Sequence, residues 1–112
     1  MPRWVQEGIA SYMVGVWLDE DERLMRELVA SREVPALSQL SGSGGFANVR
    51  VNDALGHAAF DYIESRWGPN SVRRFLNALI MPRMSKTYDA VFDLTPAEFD
   101  AAFQQYAERR FS

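Results

Sequence analysis

The chain lacks cysteine, carries a single histidine, and has no apolar run near the ~20 residues of a membrane span. The missing cysteines exclude a disulfide framework and thiolate metal ligands, without fixing the compartment. Its 12 basic and 15 acidic residues are mixed along the chain, so no basic stripe suggests nucleic acid. The beginning of the chain lacks the basic region and cleavage site of a signal peptide, so an export signal would lie on a longer parent chain.

Apolar residues recur at helical spacing through most of the chain, and strand-like alternation is nowhere convincing. The last segment opens with Thr95-Pro96-Ala97-Glu98, a capping box with proline at the first helical position. We therefore expect an all-α fold, with five to six helices in one compact orthogonal-type bundle and residues 1–112 forming a single helical domain. The predicted helices cover residues 3–17, about 20–31, 53–67, 72–80, a short segment around 88–92, and the segment after Thr95.

Two polar stretches separate these segments. The acidic run 19–22 predicts a solvated helix start, because adjacent acids on a helix point in different directions and cannot converge on one ion. Leu37 and Leu40 are expected to tuck inward. The Ser-Gly-Ser-Gly-Gly stretch at 41–45 predicts a surface loop, since it lacks the Gly-Lys-Ser/Thr ending of a phosphate-binding loop.

The first helix places one carboxylate, Glu7, in a nearly all-apolar run. Such a helix is expected to be buried, and a buried carboxylate is costly unless it is paired or bound to a metal. Arg3, four residues earlier, offers an ordinary helix pair, and the position near the helix start suits a negative charge. Metal binding and this structural explanation both stay open for Glu7.

The pattern Trp4-x-x-Glu7-Gly8-x-Ala10-x-Tyr12 resembles the second conserved helix of the gluzincin metallopeptidases, particularly the bacterial peptidase-MA-like group. The resemblance extends over nearly the whole chain and matches the family's C-terminal helical half. The further matching segments are the Leu-Ser-x-Leu element ending at Leu40, Gly56-x-x-x-Phe60-x-Tyr62-Ile63-x-x-x-Trp67-Gly68, and Thr95-Pro96-x-Glu98-Phe99.

In that family a preceding His-Glu-x-x-His helix supplies two zinc ligands and the general base, and the glutamate of this motif supplies the third ligand. The resemblance thus implies that Glu7 is a zinc ligand in a complete, peptide-cleaving parent, which would be exported or membrane-associated. This chain contains His57 alone and no His-Glu-x-x-His. We therefore expect a fragment that is inactive by itself, with no catalytic residue or cofactor of its own, whose partner is the missing N-terminal half of the parent.

His57 lies four residues after Asp53 and four before Asp61, a spacing that permits a charge-assisted pair on a helix surface. A pH-sensitive pair of this kind, at the surface or partly buried, or a place in a cleft, is preferred over a ligand role. Related sequences often carry an aromatic residue where this chain has Asp53. A minimal metal site from Asp53, His57 and Glu7 is the remaining alternative.

A second hypothesis makes the chain a non-catalytic helical module that mediates association. Apolar residues of the first helix would then either complete the domain's own core or cover a partner, with a homodimer as the expected assembly. The candidate interface residues are Trp4, Val5, Ile9, Met13 and Trp17.

Overall fold

The computed structural model describes residues 3–34, 37, 49–80 and 91–112, with the side chains of 3, 4, 49–52, 79, 80 and 96 left out. Within these ranges the chain forms five helices and no strand, so the all-α prediction is confirmed. They are α1 (Arg3–Val14), α2 (Asp19–Ala30), α3 (Val49–Trp67), α4 (Ser71–Ile80) and α5 (Pro96–Arg110). Leu40, the loop at 41–45 and the start of the segment around 88–92 lie outside the described residues. None of the helices in the described ranges is long and apolar enough to cross a membrane.

α3 is the central helix of the bundle and contacts each of the other four. Every residue from 54 to 60 is buried, so this part of α3 is covered on all sides. A helix that is covered on all sides must let its neighbours come close, and α3 does so because small residues lie between large ones. Ala54, Ala58 and Ala59 allow neighbours to approach, while Leu55 and Phe60 fill the space between helices.

Local sequence signals explain where several helices begin and end. α1 ends at Val14, three residues earlier than predicted, because Gly15 adopts a left-handed conformation with φ of 77°. The capping box before α5 is confirmed. The Glu98 amide donates to the Thr95 hydroxyl (3.1 Å), and the Thr95 amide donates to the Glu98 carboxylate (2.8 Å).

Aromatic side chains form much of the core between α3 and α5. Phe99 is fully buried, and its ring centroid lies 4.9 Å from that of Phe92 and 5.8 Å from that of Tyr62. Phe103 is also fully buried, as is Leu37, which was expected to turn inward. Such rings contribute both large buried areas and favourable mutual geometry.

The acidic run at the start of α2 differs from its prediction. Asp19 and Glu20 are exposed as expected, but Asp21 is only 6% exposed. Glu22 is half-buried and forms ion pairs with Arg26 (2.8 Å) and Arg110 (3.1 Å). The prediction of a solvated start therefore holds for Asp19 and Glu20 and fails for Asp21 and Glu22, because the end of α5 reaches Glu22 through Arg110 and Asp21 lies beside a pocket lined by residues of α1.

Candidate functional site

Glu7 lies on α1 and is half-buried rather than buried. Val5 and Gly8, which flank it, are both buried, and Gly8 lies directly against Gly56 of α3. Because successive helix positions turn by about 100°, Glu7 occupies a side of α1 that solvent still reaches. In the described part of the chain, no group of three or more histidine and carboxylate side chains is arranged to hold a metal ion.

The five candidate interface residues separate into different environments. Val5 is fully buried in the core, and Ile9 and Trp17 pack against it in partly buried positions. Met13 alone among the four with described side chains is largely exposed, at 73%; the side chain of Trp4 is outside the described set. For Val5, Ile9 and Trp17 the structure therefore favours completion of the core over cover for a partner.

His57 is buried, with 4% of its surface exposed. Its Nε2 lies 3.7 Å from Oδ2 of Asp61, so the predicted i, i+4 pair is present, with Asp53 half-buried one turn earlier on α3. Two rings from α1 and the following turn cover the imidazole, so the pair is the partly buried one of the two arrangements that the spacing allowed. Trp17 and Tyr12 meet it edge-on, with centroid distances of 4.8 Å and 6.2 Å.

The surroundings of His57 form an open cleft of about 440 Å³. We call it the aromatic–acid cleft, and it is lined by Tyr12, Met13, Gly15, Trp17, His57, Asp61 and Glu64. The Tyr12 hydroxyl donates to Glu64 (3.2 Å), and the Trp17 indole N–H donates to Glu22 (2.9 Å). These bonds fix both rings and use their side-chain donors. The sequence spacing had indicated His57 and Asp61, but not the aromatic cover or Glu64.

The cleft has a negative electrostatic environment. Burial raises the pKa of Tyr12, and the hydrogen bond to Glu64 and the charges of Glu64 and Asp61 raise it further. Burial also raises the pKa of Asp61; His57 and Arg110 lower it, Glu64 raises it, and the net direction is upward. The largest cause of both shifts is burial, and the charges of Glu64 and Asp61 add to it by making a further negative charge beside them unfavourable.

An ion cluster centred on Glu22 of α2 holds the indole of Trp17 in place. Burial alone raises the pKa of Glu22, but the hydrogen bonds from Trp17 and Arg110 and the charges of Arg110 and Arg26 outweigh it, leaving the pKa lowered. Glu22 is therefore an anion held by two arginines and an indole N–H. Sequence reasoning missed this cluster, since Arg110 lies 88 residues away along the chain.

Comparison of the chain with protein-family profiles, with curated proteins and with solved structures finds no match.

Proposed function

We propose that this chain is the helical half of a gluzincin-like zinc-peptidase domain, in which Glu7 is the third zinc ligand. The two histidine ligands and the general base would come from a His-Glu-x-x-His helix outside these 112 residues. The support is the ordered set of resembling segments together with one structural relationship. Gly8 and Gly56, which belong to two separate segments of that set, contact each other across α1 and α3.

This contact gives the Glu-Gly pair a physical purpose. Gly8 allows α1 to lie close to α3, which fixes the rotation of α1 about its axis. The preceding residue, Glu7, then takes a half-buried position on α1. A carboxylate is an ordinary zinc ligand, and a bound dication would offset the cost of its partial desolvation.

The role of this chain in such a site is limited to binding and positioning. Bound zinc would lower the pKa of a water molecule and polarise the scissile carbonyl of a peptide. The described residues supply Glu7 as one ligand, while a catalytic zinc site needs three from the protein. The chain by itself is therefore proposed to be inactive, with the remainder of the domain as its partner.

Zinc calorimetry on this chain and on a version extended by its upstream coding sequence tests the proposal. The extended protein should carry His-Glu-x-x-His and bind one zinc ion, and Glu7→Gln should weaken binding by more than about tenfold. Glu27→Gln, which removes an exposed carboxylate on α2, serves as the matched control and should bind like the parent. An upstream sequence without the motif, or unchanged zinc affinity in Glu7→Gln, contradicts the proposal.

A second candidate function, association through a helical module, is favoured by exposed apolar residues where α1 meets α2. Met13 and Val14 are 73% and 72% exposed, and Val16 and Leu18 are 54% and 47% exposed. Four neighbouring apolar side chains in water are typical of a contact surface. The surface is displaced from the one predicted, since only Met13 belongs to both sets.

Sedimentation across a concentration series tests this second candidate. Homodimer formation should depend on concentration and be lost in Val14→Lys, which places a charge in the exposed group. Ala30→Lys adds the same charge at an exposed position at the far end of α2 and should leave association unchanged. A strict monomer at all concentrations argues against the homodimer.

A further inference from the structure

We infer that the aromatic–acid cleft binds an organic cation, an ammonium or guanidinium group, between Tyr12, Trp17 and the carboxylates of Asp61 and Glu64. This site lies on α1, the segment that follows it and α3, and it is independent of the proposed zinc ligand. The inference stands on the hydrogen-bonding capacity of the cleft, on its rings, and on one buried nitrogen atom.

The side-chain donors that line the cleft are already directed at carboxylates. Tyr12 donates to Glu64, and the Trp17 indole N–H donates to Glu22. The Nε2 atom of His57 lies 3.7 Å from a carboxylate oxygen of Asp61. The hydrogen-bonding capacity that remains is on the oxygens of Tyr12, Asp61 and Glu64, which are acceptors, so a ligand that binds them must bring donors of its own.

The buried nitrogen of His57 gives an independent indication. Its Nδ1 is shielded from solvent and has no hydrogen-bond partner within the described residues, although the side chain lines the cleft. In the tautomer whose proton lies on Nε2, toward Asp61, the Nδ1 atom is a hydrogen-bond acceptor. An unpaired buried acceptor is costly, and an N–H of a bound cation would satisfy it once the imidazole turns its Nδ1 toward the cleft.

The rings and charges select a cation over a neutral donor. Tyr12 and Trp17 offer aromatic surface, which attracts ammonium and guanidinium groups. Asp61 and Glu64 lie one turn apart on α3, and each carries negative charge into the same cleft. Arg110, the nearby cation on α5, is already held by Glu22 at 3.1 Å and 3.3 Å and packs on the Phe111 ring.

A metal ion fits the cleft less well than an organic cation does. His57, Asp61 and Glu64 share one helix face, yet they do not form a metal-competent group among the described residues. One carboxylate accepts from Tyr12 and the other faces His57, so each is already engaged by a different side chain of the protein. A larger ligand with several N–H groups matches this spread of acceptors.

Nuclear magnetic resonance titration of the full chain tests the inference through the Trp17 indole N–H signal. The probes are butylammonium and methylguanidinium, each paired with a neutral isostere of similar shape, butanol and methylurea. The cations should shift the Trp17 indole N–H signal and saturate that shift at probe concentrations below about 10 mM, whereas the neutral probes should not. Sodium chloride at matched ionic strength controls for screening.

Two conservative variants locate the site. Asp61→Asn and Glu64→Gln should each weaken cation binding by about fivefold or more, because each removes one charge that faces the ligand. Glu64 is exposed, so Glu64→Gln is expected to fold normally even if Asp61→Asn does not. Glu108→Gln removes an exposed acid of α5 outside the cleft and should bind like the parent protein.

The source of the cation is decided by comparing free amines with blocked tripeptides that carry a central lysine or arginine. Tighter binding of the peptides would identify a basic side chain of a polypeptide as the ligand, and tighter binding of the free cations would identify a small amine. Either result supports the inference. It is overturned by the absence of a saturable shift, by equal shifts with the neutral isosteres, or by unchanged binding in Glu64→Gln.

Discussion

Gly8 and Gly56 meet so closely that a Cβ atom built on Gly8 would lie 2.5 Å from both the Cα and the carbonyl carbon of Gly56. Those are backbone atoms of the central helix, which cannot move aside as a side chain can. The contact therefore determines how near α1 can lie to α3. It also fixes which residues of α1 face inward, with Val5 in the core and Glu7 half-exposed.

Gly8→Ala is expected to lower the free energy of unfolding by about 1–3 kcal/mol, because the added methyl group forces α1 away from α3. The gain in helix propensity, at most about 1 kcal/mol, offsets this only in part. Urea unfolding measures the difference. Gly15→Ala is the comparison, since Gly15 has open space around it and only a strained φ to tolerate. Equal stability of Gly8→Ala and the parent would contradict the close contact.

Phe99→Ala is expected to cost about 3–5 kcal/mol of unfolding free energy, the usual loss for a fully buried phenylalanine. The cavity would open between Phe92, Tyr62 and Trp67, whose rings surround it. Phe99→Leu keeps most of the volume and should lose clearly less. Chemical denaturation measures the unfolding free energy of both variants. Similar losses of unfolding free energy in Phe99→Ala and Phe99→Leu would point to a specific role for ring stacking.

Thr95→Ala is expected to destabilise the protein by about 1 kcal/mol, because the Glu98 amide loses its side-chain acceptor at the start of α5. Thr95→Ser retains the hydroxyl oxygen and should remain within a few tenths of a kcal/mol of the parent. Thermal or urea unfolding of the two variants separates the lost hydrogen bond from the lost methyl group. An equal loss in both would assign the effect to packing.

The Glu22 cluster should make stability depend on acid. Because the pKa of Glu22 is lowered from 4.5 in the folded protein, its stabilising contribution is present above pH 4.5 and is lost as pH falls through the lowered value. Glu22→Gln should therefore lose stability relative to the parent at neutral pH, with a smaller difference in acid. Urea unfolding at several pH values measures this, and a difference that does not change with pH would exclude it.

Asp61 should show the opposite dependence. Burial raises its pKa above 3.8, so its contribution is most favourable below pH 3.8 and declines as pH rises through the raised value. The unfolding free energy of Asp61→Asn, relative to that of the parent, should therefore increase as pH rises from 3.8 through the raised pKa of Asp61. Carboxyl-carbon resonance titration gives the direct check, in which the Asp61 signal is expected to have its midpoint above 3.8.

The carboxylates of Asp61 and Glu22 show what a sequence can indicate about a site and what it cannot. The i, i+4 spacing was sufficient to predict the pair of His57 and Asp61, because both lie on one helix. Burial of His57 was not predictable, since it depends on Tyr12 and Trp17, which lie 40 or more residues earlier in the chain. The ion pair between Glu22 and Arg110 was not predictable for the same reason, since the two residues lie 88 positions apart in the chain.

The sequence by itself determined the helical class, most helix positions and the capping box at Thr95, because periodicity and end signals are local properties of the chain. The tertiary structure alone decided the environment of each polar group. It placed Gly8 against Gly56, left Glu7 half-exposed, buried Asp21 and covered His57 with two rings. Those outcomes depend on how helices lie against one another, and that arrangement follows from shape and packing across residues distant in sequence.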